Sequence, residues 1–295
     1  MQTYDFVTLD VFTDRRFGGN QLAVFPDAKG ISDADMQTLA AELNLSETTF
    51  VLPPEDPRHT ARVRIFNRSS EMPFAGHPNV GTGYLLAGLG RAKDDLLTFE
   101  ELAGLVSVRV QRDQEGNLVG AIIDAPQALT LGDEFTPEQI AQCAGLTKDD
   151  ILLTGHRPIR ASVGVDFVIA EITPQALDRA KPDMAGFEAV GAGLDDFSMR
   201  LSLHLYARDG DGIRARMFSP LTGTFEDPAT GSANATLGAL LLSLTTEGQA
   251  AYVISQGVEM GRPSRLHVTA RRTADGIRAQ VGGGCVPVFR GQVTL

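Results

Sequence analysis

Much of what this 295-residue chain could be is excluded by what it lacks: cysteine in quantity, paired histidines, basic charge and long apolar runs. Its two cysteines show no metal-ligand spacing. Cys143 sits in the helix-like "TPEQIAQCAGL" and Cys285 follows three glycines, so both read as buried thiols rather than as a disulfide or a site. His59, His77, His156, His204 and His267 form no His-x-x-x-His pair, and no metal centre is expected. Twenty-six Lys and Arg against 37 Asp and Glu leave a net charge of −11, which argues against nucleic acid as a partner. No apolar stretch approaches the ~20 residues of a membrane span. The opening "MQTYDFVTLDVFT" alternates like a strand and carries acids, unlike a signal peptide. The expectation is a cytoplasmic enzyme acting on a small molecule, with no membrane or nucleic-acid partner.

What is present is an internal echo. "EMPFAGHPNVGTGYLL" (Glu71 to Leu86) returns 155 residues later as "EDPATGSANATLGALL" (Glu226 to Leu241). Glu71/Glu226, Pro73/Pro228, Gly76/Gly231, Asn79/Asn234, Gly83/Gly238, Leu85/Leu240 and Leu86/Leu241 coincide. The segments leading in, "RVRIF" (Arg62 to Phe66) and "RARMF" (Arg214 to Phe218), share the period-2 pattern of a half-buried strand, with Arg outward and apolar residues inward. A return after about half the chain implies two similar halves, since solenoid repeats run to roughly 20–50 residues.

Each copy predicts a helix that is apolar or small on every face, hence buried all round. Its glycines let a surrounding sheet approach closely. Pro78 suits the first helical position and Ser232 the N-cap, which places both helix starts at the same point of the repeat. The first N–H groups of a helix lack internal partners and attract anions. Two such ends could hold a carboxylate through the loops of Gly76 and Gly231, with His77 and Asp227 to move protons and Ser232 to donate a hydrogen bond. That constellation is the candidate active site. Glu71 and Glu226 read as solvated turn carboxylates.

Strands are expected at residues 4–12, 21–26, 61–66, 105–110, 119–124, 165–172 and 201–206, with another in "ETTFVLPP" and several near the C-terminus. "SDADMQTLAAELN" predicts a helix capped by Ser32, with Met36, Leu39, Ala40 and Leu43 facing the core. "TPEQIAQCAGL" predicts another, with a capping pattern from Thr136 to Gln139. A boundary falls in "PQALTLG", giving halves of 1–128 and 129–283, with the last strand (about 284–295) possibly returning to the first half and the site expected in the cleft between them.

"FGGNQLAVF", "NLSETTFVL", "MPFAGHPNVGTGYLL", "ARMFSPLTGTFEDPATGSANATLGALLL" and "SQGVEMGRPSRL" together resemble, in order, the PhzF-like phenazine-biosynthesis family, related to diaminopimelate epimerase. The resemblance spans residues 17 to about 266. It implies an α+β fold of two pseudo-symmetric halves, each a curled, mostly antiparallel sheet around a central helix, usually in homodimers. It also implies an isomerase without cofactor, in which a glutamate moves a proton between carbons of a small carboxylate-bearing substrate. Carried over, that glutamate is Glu47, which residue chemistry alone reads as a turn carboxylate. His77, Asp227 and Ser232 match the assisting groups, Gly76 and Gly231 the oxyanion loops, and Asn20 the N-terminal signature. Gln256 joins the substrate-binding candidates. Burial of Glu47 would raise its pKa above the ordinary glutamate value of ~4.3.

Four other readings compete. Epimerases and racemases of the related kind place a cysteine pair in the two repeat loops, where this chain has Gly76-His77 and Gly231-Ser232. "GTGYLLAG" with Glu101 twenty residues on is a weak dinucleotide fingerprint, because two prolines stand where a strand should lead in. "TGSAN" lacks the second glycine of a nucleophile elbow. A metabolite-binding or accessory protein on the same fold is the non-catalytic alternative.

Overall fold

The computed structural model describes residues 1–194, 201–210 and 212–295. It divides into two compact units: Met1–Asp124 with Gly282–Leu295, and Ala125–Val281.

In the first unit, β1 (Thr3–Val11) pairs antiparallel with β2 (Asn20–Phe25), which runs parallel to β3 (Glu47–Leu52). α1 (Asp33–Leu43) makes that crossover, capped by the Ser32 hydroxyl at 3.1 Å from the Asp35 amide, with Met36, Leu39 and Ala40 buried. β3 pairs antiparallel with β4 (Ala61–Phe66), which carries the short β5 (Glu71–Met72). The buried helix α2 (Gly76–Gly88) then leads back to β6 (Leu96–Glu101), parallel to β4. β7 (Gly104–Arg112) and β8 (Leu118–Asp124) continue antiparallel. The far end of a long last strand, Gly276–Thr294, pairs with both β8 and β1 and closes the sheet into a ring around α2.

The second unit repeats the plan. β9 (Thr130–Glu134), β10 (Ile159–Ser162) and β11 (Asp166–Glu171) are antiparallel neighbours, and β11 is parallel to β12 (Leu203–Asp209). β12 pairs antiparallel with β13 (Gly212–Ser219), which carries β14 (Thr224–Asp227). α6 (Gly231–Ser243) is the core helix, followed by β15 (Gln249–Gln256), parallel to β13, and antiparallel β16 (Ser264–Thr273). The near end of the last strand, β17, bonds through Ile277 and Ala279 to the amides of Leu129 and Ala125. α3 (Pro137–Ala144), α4 (Pro174–Arg179) and α5 (Met184–Gly191) build a separate apolar cluster around Ile140, Leu177 and Phe187.

The small residues of the core helices are required by contact. A Cβ on Gly83 would stand 2.4 Å from Val108 Cγ1, and one on Gly238 the same distance from Val268 Cγ1. Real Cβ atoms do not approach so closely, so each repeat glycine lets its sheet close on its helix.

Two local expectations need correction. α2 begins at Gly76 after Ala75, and α6 at Gly231 after Thr230, so Pro78 is the third helical residue and Ser232 the second, not a cap. Pro78 is still harmless there, because a first-turn N–H has no internal partner to lose. Glu71 and Glu226 are not solvated turn residues either. Each forms a two-pronged ion pair, Glu71 with Arg64 (2.7 and 2.7 Å) and Glu226 with Arg216 (2.8 and 2.8 Å). Arg64 and Arg216 in turn lie over Phe66 and Phe218, 5.1 and 5.0 Å from the ring centres.

Candidate active site

The first half brings Asn20, Glu47, Gly76 and His77 together. Glu47 is the first residue of β3, not part of a turn, and the parallel register sets it beside Leu22. The start of α2 aims His77 back at that edge. Its Nε2 bonds the Gln21 carbonyl at 3.3 Å, and Glu47 Oε2 lies 3.1 Å from the same nitrogen. Both side chains are mostly shut off from solvent. Burial pushes the His77 imidazole down to about 3, with the Gln21 carbonyl pulling weakly the other way. The ring is therefore neutral at pH 7, and its contact with Glu47 is not an ion pair. A carbonyl can only accept, so the single ring proton sits on Nε2, on the side facing the carboxylate. Asn20 is fully buried at the start of β2, one residue from Gln21.

The second half gathers Asp227, Gly231, Ser232 and Gln256. Asp227 Oδ2 accepts the Thr230 hydroxyl at 2.5 Å. Gln256 is fully buried and spends its amide on the loop: Nε2 donates to the Asp227 carbonyl (2.8 Å) and to Thr230 Oγ1 (3.1 Å). Its Oε1 accepts from the Thr230 amide (3.1 Å) and from Asn234 Nδ2 (2.7 Å). Asn234 Oδ1 faces His204 Nε2 at 3.2 Å, and burial holds His204 down to about 4. Gln256 thus braces the loop that presents Asp227, and Ser232 sits half-buried in the first turn of α6.

The helix starts differ in kind. α1, α3, α4 and α5 all carry a side-chain cap, from Ser32, Thr136, Thr173 and Asp183. α2 and α6 have none. Their first amides are left for something else, the arrangement that suits an anion.

Residue-level reading passed over Gln21 and Thr230, and met Glu101 only as the acid of a weak dinucleotide fingerprint. Thr230 and Gln21 act through short-range hydrogen bonds that leave no trace in residue type. The repeated asparagine, Asn79 and Asn234, was the available signal: it bonds back to the residue before each helix, Ala75 O at 3.1 Å and Thr230 O at 2.9 Å. Both cysteines are buried and free, and lie outside the repeat loops. Burial pushes the Cys143 thiol up to about 12 and Cys285 higher still, so neither supplies a thiolate. Among the described residues no cluster of ligand side chains could hold a metal, and no helix is long and apolar enough to cross a membrane.

A sheet curled around a buried helix, built twice, with a carboxylate and a neutral imidazole at one uncapped helix start, defines an isomerase of the diaminopimelate epimerase-like α+β class. The chain belongs to the phenazine biosynthesis-like protein family, whose PhzC-PhzF model matches residues 9–291. It is 36% identical over 307 residues to an uncharacterized isomerase of Mesorhizobium japonicum, covering 100% of both chains. It is 34% identical over 298 residues to the trans-2,3-dihydro-3-hydroxyanthranilate isomerase of Pseudomonas aeruginosa, covering 98% of this chain and 99% of that one. Among solved structures, the PhzF-family phenazine biosynthesis protein of Bacillus anthracis superposes with a TM-score of 0.90 at 26% identity over 100% of each chain. The chain is a PhzF-like isomerase.

Proposed function

We propose that the enzyme moves a proton between two carbons of a small carboxylate-bearing substrate, with Glu47 as the acid/base group and no cofactor. The observation that carries this reading is the buried contact of Glu47 Oε2 with His77 Nε2, 3.1 Å. A neutral imidazole beside that carboxylate, with its N–H bonded to the Gln21 carbonyl, does not compete with it for a carbon-bound proton. The uncapped first turns at Gly76 and Gly231 supply amides for the substrate carboxylate and for negative charge developing on it. In this reading Asp227 is the second proton-handling group, Ser232 and Asn20 bind substrate, and Gln256 acts through the loop it braces. The named activity of the Pseudomonas aeruginosa relative makes a dihydro-hydroxyanthranilate the first candidate substrate. The working form is a cytoplasmic homodimer, which light scattering tests through a mass twice that of the 31.5 kDa chain.

The experiment is incubation with candidate cyclic and α-amino carboxylic acids in D₂O, followed by NMR. Enzyme-dependent exchange of carbon-bound hydrogen, abolished in Glu47→Gln, is the expected result. Tight binding with no exchange in the wild type would replace the isomerase reading with that of a metabolite-binding protein.

A further inference from the structure

β6 ends in a carboxylate that the proposed chemistry does not use. Glu101 shares the inward parity of Leu97 and Phe99 and reaches the start of α2, where the side chain of Asn79 is its polar neighbour. Both carboxyl oxygens are sealed from solvent, and among the described residues neither has a hydrogen-bond partner of regular geometry. Asn79 Oδ1 is likewise buried without a donor. Glu101 and Asn79 thus meet in a place sealed from solvent, where the carboxyl oxygens of one and the amide oxygen of the other lack a regular donor.

The second half shows what belongs there. Arg62 and Arg214 are equivalent in the repeat; Arg62 stands opposite Glu100 in the parallel pair β4–β6, and Arg214 opposite Ser255 in β13–β15. One residue on, Glu101 is the counterpart of Gln256. The partners correspond as well, Asn79 to Asn234 and the loop before α2 to the loop before α6. Gln256 works because an amide carries both a donor and an acceptor. A carboxylate has no donor, but a carboxylic acid has one.

We propose that Glu101 is a positioning residue held as the neutral acid, filling in the first half the place of the Gln256 amide and fixing the loop that carries Gly76 and His77. Its O–H stands where Gln256 Nε2 donates to the loop before α6, and its second oxygen remains an acceptor on the Asn79 side, as Gln256 Oε1 is for Asn234. Burial agrees, pushing the carboxyl up to about 8 against a smaller downward pull from Asn79. The charged groups on the surrounding elements are engaged elsewhere. On β4, Arg62 pairs with Glu55 and Arg64 with Glu71 of β5 and with Asp33. On α2, His77 faces Glu47. On β6 itself, Glu100 holds His59. On β7, Arg109 lies opposite Leu96, at the other end of the strand pair from Gly104, the partner of Glu101. None offsets a negative charge at Glu101.

The protonation state is independent of the proposed reaction, although its bearing on catalysis rests on the role given to His77. The test is ¹³C NMR of protein labelled at the glutamate carboxyl, wild type against E101Q, with stability followed over the same pH range. One resonance is expected to titrate near 8 and to be missing in E101Q. An acid of raised pKa stabilises the fold fully below the unfolded value of 4.5, and that stability is lost as pH rises towards 8. Wild type should show this loss and E101Q should not. E101A should lose stability and exchange at pH 7, and E101Q should restore both. A Glu101 resonance titrating near 4.5, or an E101Q protein less stable than wild type at pH 7, overturns the proposal. If Glu47→Gln keeps full exchange while Glu101 titrates near 8, the acid/base role of Glu47 fails and this proposal stands.

Discussion

Set strand against strand, the two halves agree in scaffolding and disagree in chemistry. The pair Arg64–Glu71 over Phe66 and the pair Arg216–Glu226 over Phe218 are the same device built twice, as are the glycines under Val108 and Val268. The register that matches Phe66 with Thr48 and Phe218 with Leu203 makes Ser202 the counterpart of Glu47 and His204 that of Thr49. Ser202 Oγ exchanges a 2.8 Å hydrogen bond with Ser219 Oγ, whereas Glu47 faces an imidazole. Contacts that hold a helix inside its sheet are doubled, whereas a carboxylate stands at the Glu47 position in the first half alone. A duplicated fold can keep its load paths while its two copies diverge in the groups they present.

The sharpest way to break that comparison is at its asymmetric point. Glu47→Gln should lower proton exchange about 10²–10⁴-fold, the usual worth of a general acid/base, while Ser202→Ala leaves it unchanged. Equal losses would show that the two positions share the work. Next in size come the arginines. Arg216→Ala should cost about 3–5 kcal/mol in urea unfolding, because it strands Glu226 and removes donors from the Leu177 and Ala180 carbonyls. Arg64→Ala should cost less, about 1–3 kcal/mol, since its site is more open to water.

A third comparison concerns acid. Both halves bury a neutral histidine, His77 near 3 and His204 near 4. Their folded values lie below the ordinary 6.5, so the unfolded chain takes up protons first. The contribution of these two histidines should be complete above pH 6.5 and fall as pH drops towards 4 and 3. His77→Asn and His204→Asn should each flatten part of that fall in thermal melts. The smallest effect is at the helix ends. Thr136→Ala should cost about 1 kcal/mol by removing the α3 cap. Ala75→Ser, which gives α2 the cap it lacks, should raise stability by a similar amount and lower exchange by occupying amides meant for the substrate.

Periodicity made 61–66 legible to the residue, and the duplicated motif revealed two core helices before any coordinates. Ser32 and the Thr136–Gln139 box fixed two outer helices, because capping is local chemistry. β6 escaped notice: its inward series Leu97, Phe99, Glu101 ends in a carboxyl where the pattern asks for an apolar group. α4 and α5 are too short to show a period. Of the site, His77, Asp227 and the paired glycines follow from the repeat, whereas Glu47 looked like any turn acid. Its importance depends on register between β2 and β3, a long-range fact that only resemblance could supply in advance. Glu71 and Glu226 failed for a related reason, since a lone acid does not announce its arginine.

The final strand, Gly276–Thr294, serves both rings, and that sets a timetable. On the ribosome residues 1–124 emerge early, yet the β1 and β8 edges wait for residues 282–295, which follow the whole of the second unit. Translation at ~5–20 residues per second leaves those edges unsatisfied for many seconds, so nascent chains stalled before residue 282 should be the species that chaperones hold and that aggregates first.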